Sequence, residues 1–158
     1  MSHGNVYRHF ASKDALAAEI AARWMEEMRE ACDLAVKRNR TVRTKLRALV
    51  EAIRSELFKR ANDPEALSVF HFVIQHKPEE AIAHHLHRQG LVVSILRKAG
   101  WPPSPQTDLE ALTILDALRF FTDPHAVAAY PDTDVSDRLA RIIDLLAKHI
   151  ETTVPPQM

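Results

Sequence analysis

The residues best suited to chemistry stand at the start of the chain, where Ser2 to Lys13 place polar and aromatic groups at the spacing of a short helix, a turn and a second helix start. Asn5 carries an amide that pairs bidentately with an adenine edge, and His3, Arg8 and His9 are donors of the kind that reach bases or phosphates in a major groove. Ser2 can cap the short helix, and Gly4 lets the backbone approach a partner closely. Val6 and Phe10, four apart, face inward, while Tyr7 anchors the helix and keeps its hydroxyl for a phosphate. Ser12 caps the following helix with Asp14 in its first turn. Lys13, at that exposed N-terminus, can join the backbone amides in holding a phosphate. These groups suit docking on nucleic acid.

The run Ser2-His3-Gly4-Asn5-Val6-Tyr7-Arg8-His9-Phe10-Ala11-Ser12-Lys13-Asp14-Ala15-Leu16 resembles the recognition-helix end of a tetracycline-repressor-like (TetR) DNA-binding domain. That family's pattern is a small polar residue, any residue, Gly, any, aliphatic, Tyr, any, His or Tyr, Phe, any, Ser or Asn, Lys, acidic, any and Leu. Every defined position is met. The resemblance implies an all-α chain in which 1–36 is a partial helix-turn-helix head, made of the recognition helix and the start of the connecting helix, and 37–153 is a ligand-binding and dimerisation domain. It implies DNA contacts at Ser2, His3, Gly4, Asn5, Tyr7, Arg8, His9 and Lys13, and a repressor that grips operator DNA as a homodimer until a small-molecule effector releases it. The helices that brace the recognition helix in the family would lie before Met1, which stands where the family most often has Val. The expectation is therefore an open reading frame that continues upstream; the alternative is a shortened sensor or dimerising protein that no longer binds DNA.

Composition fits a soluble, cytoplasmic, helical chain. The 158 residues suit one sizeable core, with 46% apolar and 27% charged side chains and no apolar run long enough to cross a bilayer. No secretory signal and no membrane partner are expected. Net charge is zero, so nothing global draws the chain to nucleic acid, but Lys37, Arg38, Arg40, Arg43, Lys45 and Arg47 gather without an intervening acid. A solvated turn is the favoured reading of that cluster over a phosphate-facing patch. The lone Cys32 has no internal disulfide partner and, four residues after Met28, reads as a small core residue rather than a redox sensor.

The elements that must position these groups read as a string of helices, with no strand-like alternation and three glycines in the whole chain. The first helix spans about 13–37, with Leu16, Ile20, Trp24, Met28, Cys32 and Ala35 at helical spacing, and Asn39 closes it. The second carries Val42, Leu46, Leu49, Val50, Ile53 and Leu57. Asn62-Asp63-Pro64 stops it and starts a third, with Asp63 as cap and Pro64 in the first turn. A fourth from Glu79 ends at Gly100, with Trp101-Pro102-Pro103 beyond. Thr107-Asp108-Leu109-Glu110 reads as a capping box opening a fifth that breaks at Asp123-Pro124, followed by a loop and a last helix over about 134–152.

In the family, the two last long helices pair with their copies in a second subunit. The resemblance makes Leu109, Leu112, Leu115, Leu118, Leu139, Ile142, Leu146 and Ile150 the candidates, divided between the subunit's own core and a two-fold four-helix interface. The middle helices would enclose a small, apolar or aromatic effector. Its candidate wall is Phe58, Phe70, Phe72, Val73, Trp101, Phe120 and Phe121, with His71, Gln75 and His76 as polar contacts.

Nine histidines are many for this length, and His84 and His87 share a helix face that His71 or His76 would complete as a metal site. No HExxH and no paired cysteine accompany them, so solvated or capping histidines are the favoured reading and no metal or other cofactor is expected. No nucleophile frame, phosphate loop or apolar acid pair points to an enzyme; a His-rich metal-dependent enzyme is the weaker alternative.

Overall fold

The computed structural model describes residues 12–61, 64–130 and 132–155. Ser2, His3, Gly4, Asn5, Tyr7, Arg8 and His9 lie outside the described residues. The fold is all-α: α1 (Lys13–Arg38), α2 (Val42–Ala61), α3 (Pro64–His76), α4 (Pro78–Lys98), α5 (Pro105–Thr122), α6 (Pro124–Ala129) and α7 (Asp132–Thr152), with no strand among the described residues. No described helix is long and apolar enough to cross a membrane.

Helix α2 is the post of the bundle and packs on every other helix. Its expected stripe is real: Leu46, Leu49, Val50, Ile53 and Leu57 are buried, and Val42 is half-buried against them. They meet Met28, Cys32 and Val36 of α1, Val92, Ile95 and Leu96 of α4, Ile114, Leu118 and Phe121 of α5, and Leu139, Ile143 and Ile150 of α7 in one core. Each buried Leu, Ile or Phe contributes about 1.5–3 kcal/mol of transfer free energy, so this single cluster dominates folding. Helix α1 runs unbroken across residues 36 and 37, where the sequence places a domain boundary, and lies along α2.

The helix ends follow local chemistry. Ser12, in extended backbone, accepts from Ala15 N at 3.0 Å and caps α1 as expected, leaving Lys13 exposed in the first turn. At the end of α4, Gly100 adopts φ +102°, Gly100 N–H donates to Arg97 O, and Trp101 N–H reaches back to Leu96 O. This is a Schellman ending, in which only glycine takes the positive φ without strain. It turns Trp101 into the core, where its indole Nε1 donates to Ile150 O at 3.0 Å and ties the α4–α5 turn to α7.

Two boundaries differ from the sequence reading. Helix α5 starts at Pro105 under a Ser104 cap that accepts from Thr107 N at 3.3 Å, because proline at the first helical position favours that earlier start. Thr107 is thus inside the helix and buried, its hydroxyl donating to Pro102 O at 2.6 Å, and Glu110 faces His149 of α7 at 2.9 Å instead of closing a capping box. The stretch after Asp123 opens a helix: Asp123 Oδ1 accepts from Ala126 N at 2.9 Å, Pro124 holds the first turn of α6, and Val127 plugs into the core. Asp-Pro here starts a helix as well as ending one.

The basic cluster is only partly a solvated turn. Lys45 is 4% exposed, and its ammonium donates to Val36 O at 2.6 Å, at the carbonyl end of α1. Arg43 and Arg47 are exposed and pair with Asp144 and Glu51. Replacing Trp101 by Phe keeps the ring in the core but leaves Ile150 O without its donor. We expect a loss of about 1–2 kcal/mol in urea unfolding with an unchanged m-value; a neutral substitution would show that this bond does not tie the turn to α7.

Candidate functional site

The helices leave partly open space between them. A cavity of about 410 Å³ lies among α1 to α6, lined by Trp24, Met25 and Met28 of α1, Ile53 and Leu57 of α2, Val73 of α3, Ala81, His84, His85 and Arg88 of α4, Arg119 and Thr122 of α5 and Pro124 of α6. A second, of about 250 Å³, shares Ile53, His85, Arg88, Arg119 and Thr122 and extends toward Leu49, Leu115, Asp116 and Leu118. The volume is that of a small-ligand site: an apolar floor with a few polar groups along one wall. Two methionines give the floor adaptable shape.

Helix periodicity builds that wall. His84 and His85 lie four and three residues before Arg88 on α4, so each is one turn from it and all three border the same space. His84 is 9% exposed, and its Nδ1 has no hydrogen-bond partner. Burial, then the charges of Arg88 and of Arg29 on α1, then His87 and His85, push its pKa down to about 3. His84 is therefore neutral at physiological pH. Arg88 Nε is likewise buried without a partner, and burial pulls its pKa down. Cys32, beside it, is fully buried, and burial drives its thiol up to about 12 despite Arg88. That thiol is inert core, not a sensor.

Other internal charges are partnered. Glu56 is 6% exposed and receives Lys59 and Arg60, which together outweigh burial and hold its carboxyl below the usual range. Arg60 also binds Glu27 of α1 and lies 5.0 Å above the Trp24 ring. Arg54 points its guanidinium at Phe121 O, 3.4 Å away, and covers the Phe58 ring.

The expected effector wall is dispersed. Trp101 and Phe121 are core, and Phe120 is half-buried against Phe121, Tyr130 and Arg138. Phe58 borders a groove between α2 and α7 with Arg47, Arg54 and Leu139. Phe72 is half-buried beside the exposed His76, their ring centroids 4.9 Å apart; His71 and Gln75 are exposed, and the Phe70 side chain lies outside the described set. Of the expected wall, only Val73 lines the central cavity among side chains described. Most of the cavity lining comes from α1 and α4, and the signal available in the sequence was the mid-helix pair Trp24 and Met28 together with His84, His85 and Arg88 at helical spacing.

The histidines divide as well. His87 Nε2 sits 3.0 Å from Asp33 Oδ1 on α1, off the line of a hydrogen bond, while His84 turns to the cavity. His71 meets His125 of α6, Nε2 to Nε2 3.3 Å. No group of three or more metal-ligating side chains assembles among the described residues.

The expected subunit-contact residues also sort by depth. Leu118, Leu139 and Ile150 are internal core; Leu112, Leu115, Ile142 and Leu146 are half-buried; Leu109 is exposed. Leu145 of α7, absent from the sequence-based set, is the most exposed large apolar side chain described, at 69%. Compared with family models, curated proteins and solved structures, the chain finds no match.

His84 makes stability depend on pH with a defined sign. The unfolded imidazole takes a proton near pH 6.5 and the folded one only near 3, so its contribution is complete above pH 6.5 and is lost as pH falls through that window. Between pH 6.5 and 5 the unfolding free energy should fall by up to about 1.4 kcal/mol per pH unit, and His84→Met should remove one proton's share of that slope. Glu56 acts only lower, its stabilisation fading as pH drops below the usual carboxylate range. Equal slopes in the two proteins would show that His84 is not the titrating group.

Proposed function

We propose that the chain is a TetR-like, ligand-responsive transcriptional regulator, a repressor that holds operator DNA as a homodimer and lets go when a small effector fills the central cavity. The observation that carries this reading is the position of α1. Its N-terminus follows directly on the Ser2–Ser12 segment with its DNA-contact pattern, and its middle supplies Trp24, Met25 and Met28 to the cavity wall. A molecule entering the cavity therefore touches the helix that leads to the recognition segment. An effector with higher affinity for one placement of α1 than another shifts the spacing of the two recognition segments by that difference in affinity, and operator binding weakens the effector reciprocally.

Exposed apolar side chains on α5 and α7 support the homodimer. Leu109 and Leu145 are 56% and 69% exposed, with half-buried Leu112, Ile142 and Leu146 nearby in sequence on the same two helices. An antiparallel meeting of two such helix pairs buries these side chains in a four-helix contact. The protein should sediment as a dimer, and Leu145→Glu should shift it to monomer with its helical circular dichroism intact. A wild-type monomer at high micromolar concentration would remove the homodimer from the proposal.

The decisive experiment is DNA binding by this chain, expressed with the in-frame codons upstream of Met1, against the flanking region of its own gene at two salt concentrations. Selective binding that weakens steeply with salt supports the regulator. Salt-insensitive or sequence-blind binding overturns it.

A further inference from the structure

We propose that the central cavity takes an amphipathic organic anion, a carboxylate on an apolar chain or ring, with the anionic end on Arg88 and His85 and the apolar body on Trp24, Met28 and Leu57. This rests on reading the cavity as the effector site and goes beyond it by giving the effector a charge.

The argument is one of unmatched charge. Each of the cations Lys45, Arg54 and Arg60 is directed at a carbonyl or carboxylate of a neighbouring turn or helix. Arg88 differs from these three: no carboxylate or carbonyl among the described residues meets its guanidinium, and its Nε is buried without a partner. Of the nearby acids, Glu27 and Glu56 are committed to Arg60, and Asp33 is exposed and makes no ion pair with Arg88. Cys32 cannot act as the counter-ion, because its thiol stays protonated to about pH 12. No carboxylate lines the larger cavity, and Asp116 in the adjoining one is exposed and makes no ion pair with Arg88 or Arg119.

A half-buried guanidinium without a protein partner attracts an anion that brings its own apolar cover, since the planar fork matches a carboxylate bidentately and the apolar lining leaves few competing polar groups. His84 Nδ1, also without a partner, offers a further polar contact to the same ligand. A neutral apolar effector would leave both groups as they are. An inorganic anion would match the charge but leave the methionine and tryptophan floor unfilled.

The probes are octanoate and phenylbutanoate, each against its own primary amide, titrated calorimetrically into the whole protein and into Arg88→Met and Arg88→Lys. The expected result is a preference of at least about tenfold for the acid in wild type, lost in Arg88→Met with amide binding unchanged and partly kept in Arg88→Lys. Without ligand, Arg88→Met should melt at or above the wild-type temperature, because the substitution removes an unpaired desolvated charge. Should that variant fail to fold, the acid-to-amide ratio in wild type decides alone. Equal binding of acid and amide overturns the anion but leaves the cavity as the effector site. Binding of neither overturns both.

Discussion

Because α2 packs on every other helix, the charges on its inner side have little water to fall back on and must be answered from within the protein. Lys45 and Arg54 each answer the carbonyl end of a different neighbour, α1 at Val36 and α5 at Phe121. Cations at helix C-termini are stabilised by the aligned peptide dipoles, so the groups that would destabilise an apolar post instead fix where its neighbours stop. Glu56 extends the same logic through Arg60 to Glu27 and couples α2 to α1. The apolar stripe supplies the driving force, and these polar ties select one arrangement of helices around it.

That arrangement gives meaning to the polar groups left unanswered. Helix α4 contributes Val92, Ile95 and Leu96 to the core in its second half, yet its first half turns His84, His85 and Arg88 toward open space. Close packing would ordinarily fill such space with side chains. Here α1 supplies thioether and indole to the floor, α4 supplies imidazole and guanidinium to the wall, and neither completes the other. An incomplete site on α1 and α4 is what the proposed ligand-responsive regulator would use, since an effector acts only through its differential affinity for two states.

Much of the fold was legible because its signals are local. Ser12, Gly100 and the stripe from Leu46 to Leu57 each express a preference within one or two turns of chain, and the structure keeps them. Where two local signals competed, reading them singly misled. Thr107 has the spacing of a capping box, but Ser104-Pro105 is the better start, and Asp123-Pro124 both ends α5 and begins α6. The aromatic residues were harder to place. Trp101 and Phe121 look alike as candidates for core or ligand wall, and their roles depend on which helix lies across from them.

The amino-acid sequence by itself determined the all-helical class, the order and most ends of the helices, and the core stripe of α2, because helical periodicity and capping act within a few residues. Only the tertiary structure decided that Lys45 is buried at the end of α1, that His71 meets His125 rather than His84, and that Arg88 is left facing a cavity without a partner. Those outcomes depend on side chains brought together from distant helices. Whether a charge is satisfied is a property of what lies across from it, and no spacing along the chain encodes that.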